Sequence, residues 1–326
     1  MLRKVAFLIA PVLALCAAVS GLTSRAHALD WPMRPVTVVV PLAAGGNTDM
    51  MARMGAQWLS EKLGQAFVVE NRVSAGGALG TGHVAAAQPD GYTILFSPSS
   101  MLLLTPLVQK VSFDADKQLV PVVNVGTGTQ VIAIRRSLPV KTLPEFIAYA
   151  KANPGKLNFV IAGANNIAHL APVLLFARAG VNVVMIPAKG GPQAVSDLMS
   201  GQVDLYFGNA SELLPQAESD KIRLIAVGTA QRIPAAPDLP TVAESYPGFE
   251  FSSWNGFSVP AGTPQPIIDA IRTQIAALMK TPEAQERLKR LGIVPGGLSK
   301  EETEAVFAKD RENFAASVKA AGIPAP

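Results

Sequence analysis

Val36 to Asp49, VTVVVPLAAGGNTD, places small and hydrogen-bonding residues at the end of an apolar run. Val36 to Val40 reads as a buried parallel strand, Pro41 ends it, and Asn47, Thr48 and Asp49 each suit a helix N-cap. The following MMARMGAQWLSEKLG sets Met51, Met54, Trp58 and Leu59 at helical spacing, and Gly64 closes the helix. A strand that passes through a small-residue turn into a helix leaves backbone N–H groups free at the positive end of the helix dipole. That is a seat for an anion such as a carboxylate. The same pattern equally describes an ordinary strand-to-helix turn. Neither nucleotide version of the design, GxxxxGKS/T or GxGxxG, is present.

Metal and catalytic chemistry finds less support. Beyond residue 28 the chain has two histidines, His83 and His169, far apart, and no cysteine; no metal-ligand spacing arises, and no metal or cofactor is expected. There is no GxSxG, and Ser99-Ser100 has no motif tying it to a base. His83 reads as a surface helix residue, His169 as packing or support for a site rather than a direct ligand contact, and Lys189 as a solvated loop lysine. Asp49 is better read as a cap than as a general base. Trp254, in SSWNG, suits an aromatic cleft wall and a core or hinge position equally. An enzyme needs a positioned acid–base or nucleophile pair, and the sequence displays none.

The elements that must position these residues begin after residue 28. Arg3 and Lys4, the apolar run Val5 to Val19 and the A-x-A site Ala26-His27-Ala28 form a cleavable signal peptide, so a soluble, exported protein is expected. Residues 1–28 hold three basic side chains and no acid, and without them the net charge falls from +4 to +1. The basic pI therefore carries no argument for nucleic acid. The single cysteine, Cys16, leaves with the signal, so the core must hold the chain without disulfides. The remaining length suits two domains.

Along the chain the rhythm is strand, small-residue loop, helix. AFVVEN, ending at Asn71, and Tyr92 to Phe96 read as strands, and Val120 to Val125 and Gln130 to Ile134 as paired strands separated by Gly126 and Gly128. Thr142 to Glu145 carries a capping-box spacing. Leu157 to Ile161, Val183 to Ile186, Val203 to Phe207 and Arg223 to Val227 read as buried strands, the first three leading through loops into helices. After a Pro-rich connector, Pro234 to Pro240, long amphipathic helices run from Pro266 to the end. Alternating elements of this kind imply parallel sheets covered by helices, with ligands beyond the carboxyl ends of the strands.

Several stretches taken in order resemble one family. They are WPMRPVTVVVPLAAGGNTD (Trp31–Asp49), GQAFVVENRVSAGGALG (Gly64–Gly80), PDGYTILF (Pro89–Phe96), TLPEFIAYAKANPGKLNF (Thr142–Phe159), GGPQAVSDLMSGQVDL (Gly190–Leu205) and the segment Leu239–Pro264. The chain is similar in these to the Bug-type substrate-binding receptors of tripartite tricarboxylate transporters. The resemblance implies an α/β, two-domain periplasmic-binding-protein (type II) fold with the ligand cleft between the domains. Residues 29–128 plus 230–326 would form domain 1, and 129–229 domain 2. It further implies a monomer that binds a small organic carboxylate and delivers it to integral-membrane transporter subunits. Docking on a membrane sensor, or an exported enzyme on a similar fold, are the alternatives.

By the same resemblance the ligand would meet Leu42, Ala43, Ala44, Gly45, Gly46, Asn47 and Thr48, and after the third strand Ser97, Ser99, Ser100 and Met101. In the second domain it would meet Gly163, Asn165, Asn166 and His169, then Ala188 and Lys189, then Gly208 and Asn209. Four places depart from the family pattern. Asn165-Asn166-Ile167-Ala168 has fewer hydroxyls than usual, Ala188 stands where Tyr is common, Gly208 stands where Asp is usual, and Ser99 to Leu102 is less polar. The loss of an acid at 208 argues against an amino-acid ligand, and the set predicts a roomier, more apolar pocket for a carboxylate with an apolar or aromatic body.

Overall fold

The computed structural model describes residues 30–162, 167–297, 299–320 and 326. The predicted signal peptide, residues 1–28, and three predicted site residues, Gly163, Asn165 and Asn166, lie outside them.

The strands are β1 (Val36–Val40), β2 (Phe67–Asn71), β3 (Thr93–Pro98), β4 (Leu119–Arg135), β5 (Asn158–Ala162), β6 (Val184–Ala188), β7 (Leu205–Asn209), β8 (Ile222–Val227), β9 (Ser252–Pro260) and β10 (Ile293–Pro295). They pair in the order β2-β1-β3-β9-β4-β7-β5-β6, with β8 and β10 also on β4. Two parallel groups, β2-β1-β3 and β7-β5-β6, flank the antiparallel strands β9 and β4. Each parallel group comes from the strand–helix rhythm, because a parallel neighbour is reached only by a crossover.

The strand β4 corrects one expectation. Gly126 and Gly128 do not separate two paired strands; they lie inside one strand of 17 residues. A methyl group on Gly126 would fall 2.6 Å from Ile293 Cγ2, so this glycine serves close approach to β10 rather than a turn. One end of β4 pairs with β9 from Leu119 to Thr129, and the other with β7 from Gln130 to Ile134. The strand is thus the shared floor of both groups.

Predicted helices form where their local signals stand. The Asn47–Leu63 helix buries Met51, Met54 and Leu59 and ends at Gly64 with φ 75°. Trp58 is half-exposed, its ring under the Lys62 ammonium at 4.6 Å. Gly55 on this helix admits the Phe257 ring, 2.9 Å from where a methyl would be, and Phe257 meets Phe96 edge-on at 4.8 Å. Thr142 caps the Leu143–Ala152 helix through Glu145 N–H. The C-terminal helix, Lys300–Ala320, lays Phe307 against Trp254 at 5.9 Å and Phe314 against Phe251 at 6.4 Å. Trp254 is therefore a core residue beside the crossing strands.

One strand is less buried than its composition predicts. In β6, Val184 and Met185 are 42% and 48% exposed, because this strand is the sheet's edge and among the described residues pairs with β5 alone.

Candidate ligand-binding site

The β1 loop is built around a buried acid. Asp49 Oδ2 accepts the Gly45 N–H at 2.9 Å and Arg53 Nε at 2.9 Å, and Oδ1 accepts Asn71 Nδ2 at 2.9 Å. Asn71 Nδ2 also donates to Leu42 O at 2.9 Å, while Arg53 Nη2 donates to Asn71 Oδ1 at 3.0 Å. Burial raises the Asp49 carboxyl, but the bonds from Arg53, Gly45 and Asn71 outweigh it and hold the group below its ordinary range. Here the capping expectation needs correction. The N-cap is Gly46, with no side-chain cap bond; Asp49 ties the loop shut from inside the first turn instead. Gly45, at φ 84°, supplies the left-handed turn that brings its N–H onto Asp49.

Ala43, Ala44, Gly45 and Gly46 are exposed, Leu42 and Asn47 half-buried, and Thr48 buried. Among the described residues, apart from its chain neighbours, the nearest atom to a methyl on Gly46 would be Ala43 O at 3.8 Å, so these residues leave the space at Gly46 open. Thr48 Oγ1 donates to Asn255 Oδ1 on β9 at 2.7 Å, fastening the helix start to the crossing strands.

After β3 the picture differs. Ser97, Ser99, Ser100 and Met101 are all buried. Ser99 Oγ donates to Asp310 Oδ2 of the C-terminal helix at 2.7 Å and lies 3.2 Å from Ser253 Oγ, which also accepts the Ser100 N–H at 3.2 Å. Burial lifts the Asp310 carboxyl to about 6, against the Ser99 bond, with Glu250 raising and Lys309 lowering it. A methyl on Gly77 would fall 2.4 Å from Met101 Sδ, so Met101 packs against the Gly-rich turn. Ser99, Ser100 and Met101 are thus engaged within the first lobe.

On the second lobe, Ala188 ends β6 half-buried and Lys189 is exposed in the bend that follows. Gly208 and Asn209 belong to β7 itself rather than to the loop after it. The room Gly208 leaves is taken by Tyr206, whose Cε1 would lie 2.0 Å from a methyl there. This corrects the expectation of added space at that position. His169 is half-buried on the Ile167–Ala179 helix, and burial lowers its pKa, favouring the neutral ring. Gln130 on β4 donates Nε2 to Asn209 Oδ1 at 2.9 Å.

The two lobes meet on β4. Asn255, which holds Thr48, pairs with Gly126, and Asn209 pairs with Gln130. The two anchors are four residues apart on one strand, about 13 Å at ~3.3 Å per residue. Buried polar atoms cluster near them: Asn47 Oδ1, Ser97 Oγ, Thr129 Oγ1 and Gln130 Oε1 have no partner among the described residues. Sequence reading overlooked Thr129, Gln130 and Asn255. Their signal was polar side chains inside otherwise apolar strands. Cavities of about 230 and 320 Å³ lie elsewhere, along Ile233 to Ala235 and the Pro282–Arg290 helix.

Strand ends of two β–α lobes, meeting over a shared pair of crossing strands, define a two-lobed periplasmic-binding-protein fold of type II. The chain belongs to the tripartite tricarboxylate transporter family receptors, whose family model matches residues 51–322. It is 33% identical over 314 residues to Protein BugT of Bordetella pertussis, covering 95% of this chain and 96% of that one. Among solved structures it is similar to Rpa4515 of R. palustris with adipate, at 34% identity and TM-score 0.83, covering 91% of this chain and 100% of that chain. It is also similar to MatC of Rhodopseudomonas palustris with bound malate, at 29% identity and TM-score 0.79, covering 89% and 100%. No described helix is long and apolar enough to cross a membrane.

Proposed function

We propose that this protein is a periplasmic receptor that captures a small organic carboxylate between its lobes and hands it to the membrane subunits of a tripartite transporter. In this reading the chain divides into 29–128 plus 230–326 and 129–229, the signal peptide 1–28 is removed, and the receptor acts as a monomer. The carboxylate sits at the start of the Asn47–Leu63 helix, held by backbone N–H groups and by Asn47, with Ala43 to Gly46 as the open rim. Asn209, His169 and the ends of β5 and β6, with Gly163, Asn165, Asn166, Ala188 and Lys189, close on the ligand's other end. Ser97 faces it from β3, while Ser99, Ser100 and Met101 back the first lobe.

The observation that carries the reading is the start of the Asn47–Leu63 helix, where Gly46 makes no side-chain cap bond and Ala43 to Gly46 are exposed. Family membership and the adipate and malate of its structural relatives support it. A thermal-shift screen of the chain from Leu29 onward against aliphatic, aromatic, amino and tricarboxylic acids tests it. A rise in the unfolding midpoint that grows with the concentration of one acid is the expected result. No rise with any acid, from protein stripped of copurified ligand by unfolding and refolding, overturns it.

A further inference from the structure

The second lobe holds an acid that the family reading leaves unused. Tyr206 and Gly208 share a face of β7, and the tyrosine ring lies across the glycine backbone: a methyl on Gly208 would be 2.0 Å from Cε1 and 2.2 Å from Cζ. The tyrosine hydroxyl donates to Glu212 Oε2 at 2.8 Å, and Asn209 Nδ2 donates to Glu212 Oε1 at 2.9 Å. Burial first, then the neighbouring Glu212 carboxylate, push the Tyr206 hydroxyl well above its ordinary pKa, so it remains a donor. Both carboxylate oxygens are thereby fixed over Gly191, where a methyl would lie 2.2 Å from Oε1 and 2.5 Å from Oε2.

Gly191 opens the Gly191–Ser200 helix, and its N-cap, Gly190, makes no side-chain cap bond. A bare helix start at this strand end is where a ligand's second carboxylate would find backbone N–H groups. Here the protein's own carboxylate stands beside it, and like charges repel. Behind Asn209, Gln130 adds another acceptor, its buried Oε1 without a partner among the described residues. This wall offers acceptors and a negative charge.

We infer that Glu212 is a specificity-determining residue: it bars a second carboxylate from the far wall, so the ligand is a monocarboxylic acid whose other end is uncharged or donates hydrogen bonds. The inference rests on the carboxylate-receptor reading above. Tyr206 and Asn209 act as positioning residues that hold Glu212 in place, and Gly191 and Gly208 leave the space they require.

The test is calorimetric titration of ligand-stripped protein with three length-matched pairs of acids: butanoate and succinate, hexanoate and adipate, 4-methylbenzoate and terephthalate. The expected result is that the monoacid of the best-binding pair binds at least tenfold tighter than its diacid. Glu212→Gln, which retains an amide able to bond Asn209 and Tyr206, narrows that ratio at least fivefold by strengthening the diacid. Tyr206→Phe frees one side of Glu212 and narrows the ratio less, which keeps the test decisive should Glu212→Gln fail to fold. A wild-type preference for the diacid overturns the inference, as does a mono-to-diacid ratio unchanged in the folded variants. If no acid of either kind binds the wild type, the carboxylate-receptor reading falls, and this inference falls with it.

Discussion

The two lobes each place an acid beside a helix start, and the two acids have opposite consequences. In the first lobe Asp49 lies inside the loop, paired with Arg53 and bonded to Asn71 and Gly45. Its charge is balanced, its oxygens are turned inward, and the helix start faces open space at Gly46. In the second lobe Glu212 accepts from the neutral donors Tyr206 and Asn209, and among the described residues no cation pairs with it, so its charge stays at the wall. The comparison teaches that a helix start takes its selectivity from where the nearby charge is compensated, not from the presence of an acid in the sequence.

Asp49→Ala should break the comparison most severely. It strands the Gly45 N–H and the Arg53 guanidinium and frees the loop, so ligand affinity should fall by about a hundredfold. Stability should fall by about 2–3 kcal/mol, less than for a fully buried pair because Arg53 is half-exposed. Titration and denaturant unfolding measure the two effects. A variant with normal binding would remove the first lobe from the account.

Gly46→Val separates ligand from fold. Among the described residues, apart from its chain neighbours, none comes closer than 3.8 Å to the added Cβ, and φ −78° suits valine, so stability should change by about 1 kcal/mol from the poorer N-cap alone. Binding should weaken more than tenfold, because the side chain fills the space in front of the N–H groups. Thr48→Val should act the other way. It leaves Asn255 Oδ1 without its donor and costs about 1–2 kcal/mol, with a smaller loss of affinity.

The smallest effect is in pH dependence, where two acids of the first lobe oppose each other. Asp49 sits below its ordinary pKa, so the stability it contributes is present at neutral pH and is lost as acid protonates it in the folded state. Asp310 sits at about 6 against an ordinary 3.8, so between these values the folded state holds more protons than the unfolded chain. Its contribution therefore declines as pH rises through that window. Asp310→Asn keeps an acceptor for Ser99 and should flatten the decline between about pH 4 and 6 in unfolding midpoints measured across pH. An unchanged profile would reassign the slope to other groups.

Much of the first lobe's site was legible because its determinants are local. The apolar run Val36 to Val40, the proline after it and the small residues before Asn47 specify a strand, a turn and a helix within fourteen positions. What Asp49 does was not legible, since Asn71 arrives from the next strand and its choice between capping and closing the loop depends on that neighbour. The second lobe's wall was less legible still. Gly208 read as a lost acid and one of several departures toward a roomier pocket, because only the folded β7 shows Tyr206 leaning over it, and Glu212 carried no motif at all.

By itself, then, the sequence determined the alternation of strands and helices, the ends of the helices at Gly64 and Thr142, and the family, because backbone propensity, capping and apolar periodicity act over a few residues. The tertiary structure decided that β4 runs unbroken under both lobes and that Ser99 reaches Asp310 across 211 positions. It also decided that Asp49 is paired with a cation while Glu212 is held by neutral donors. These follow from long-range packing, where a side chain's partner is whichever element the closed core brings within about 3 Å of it.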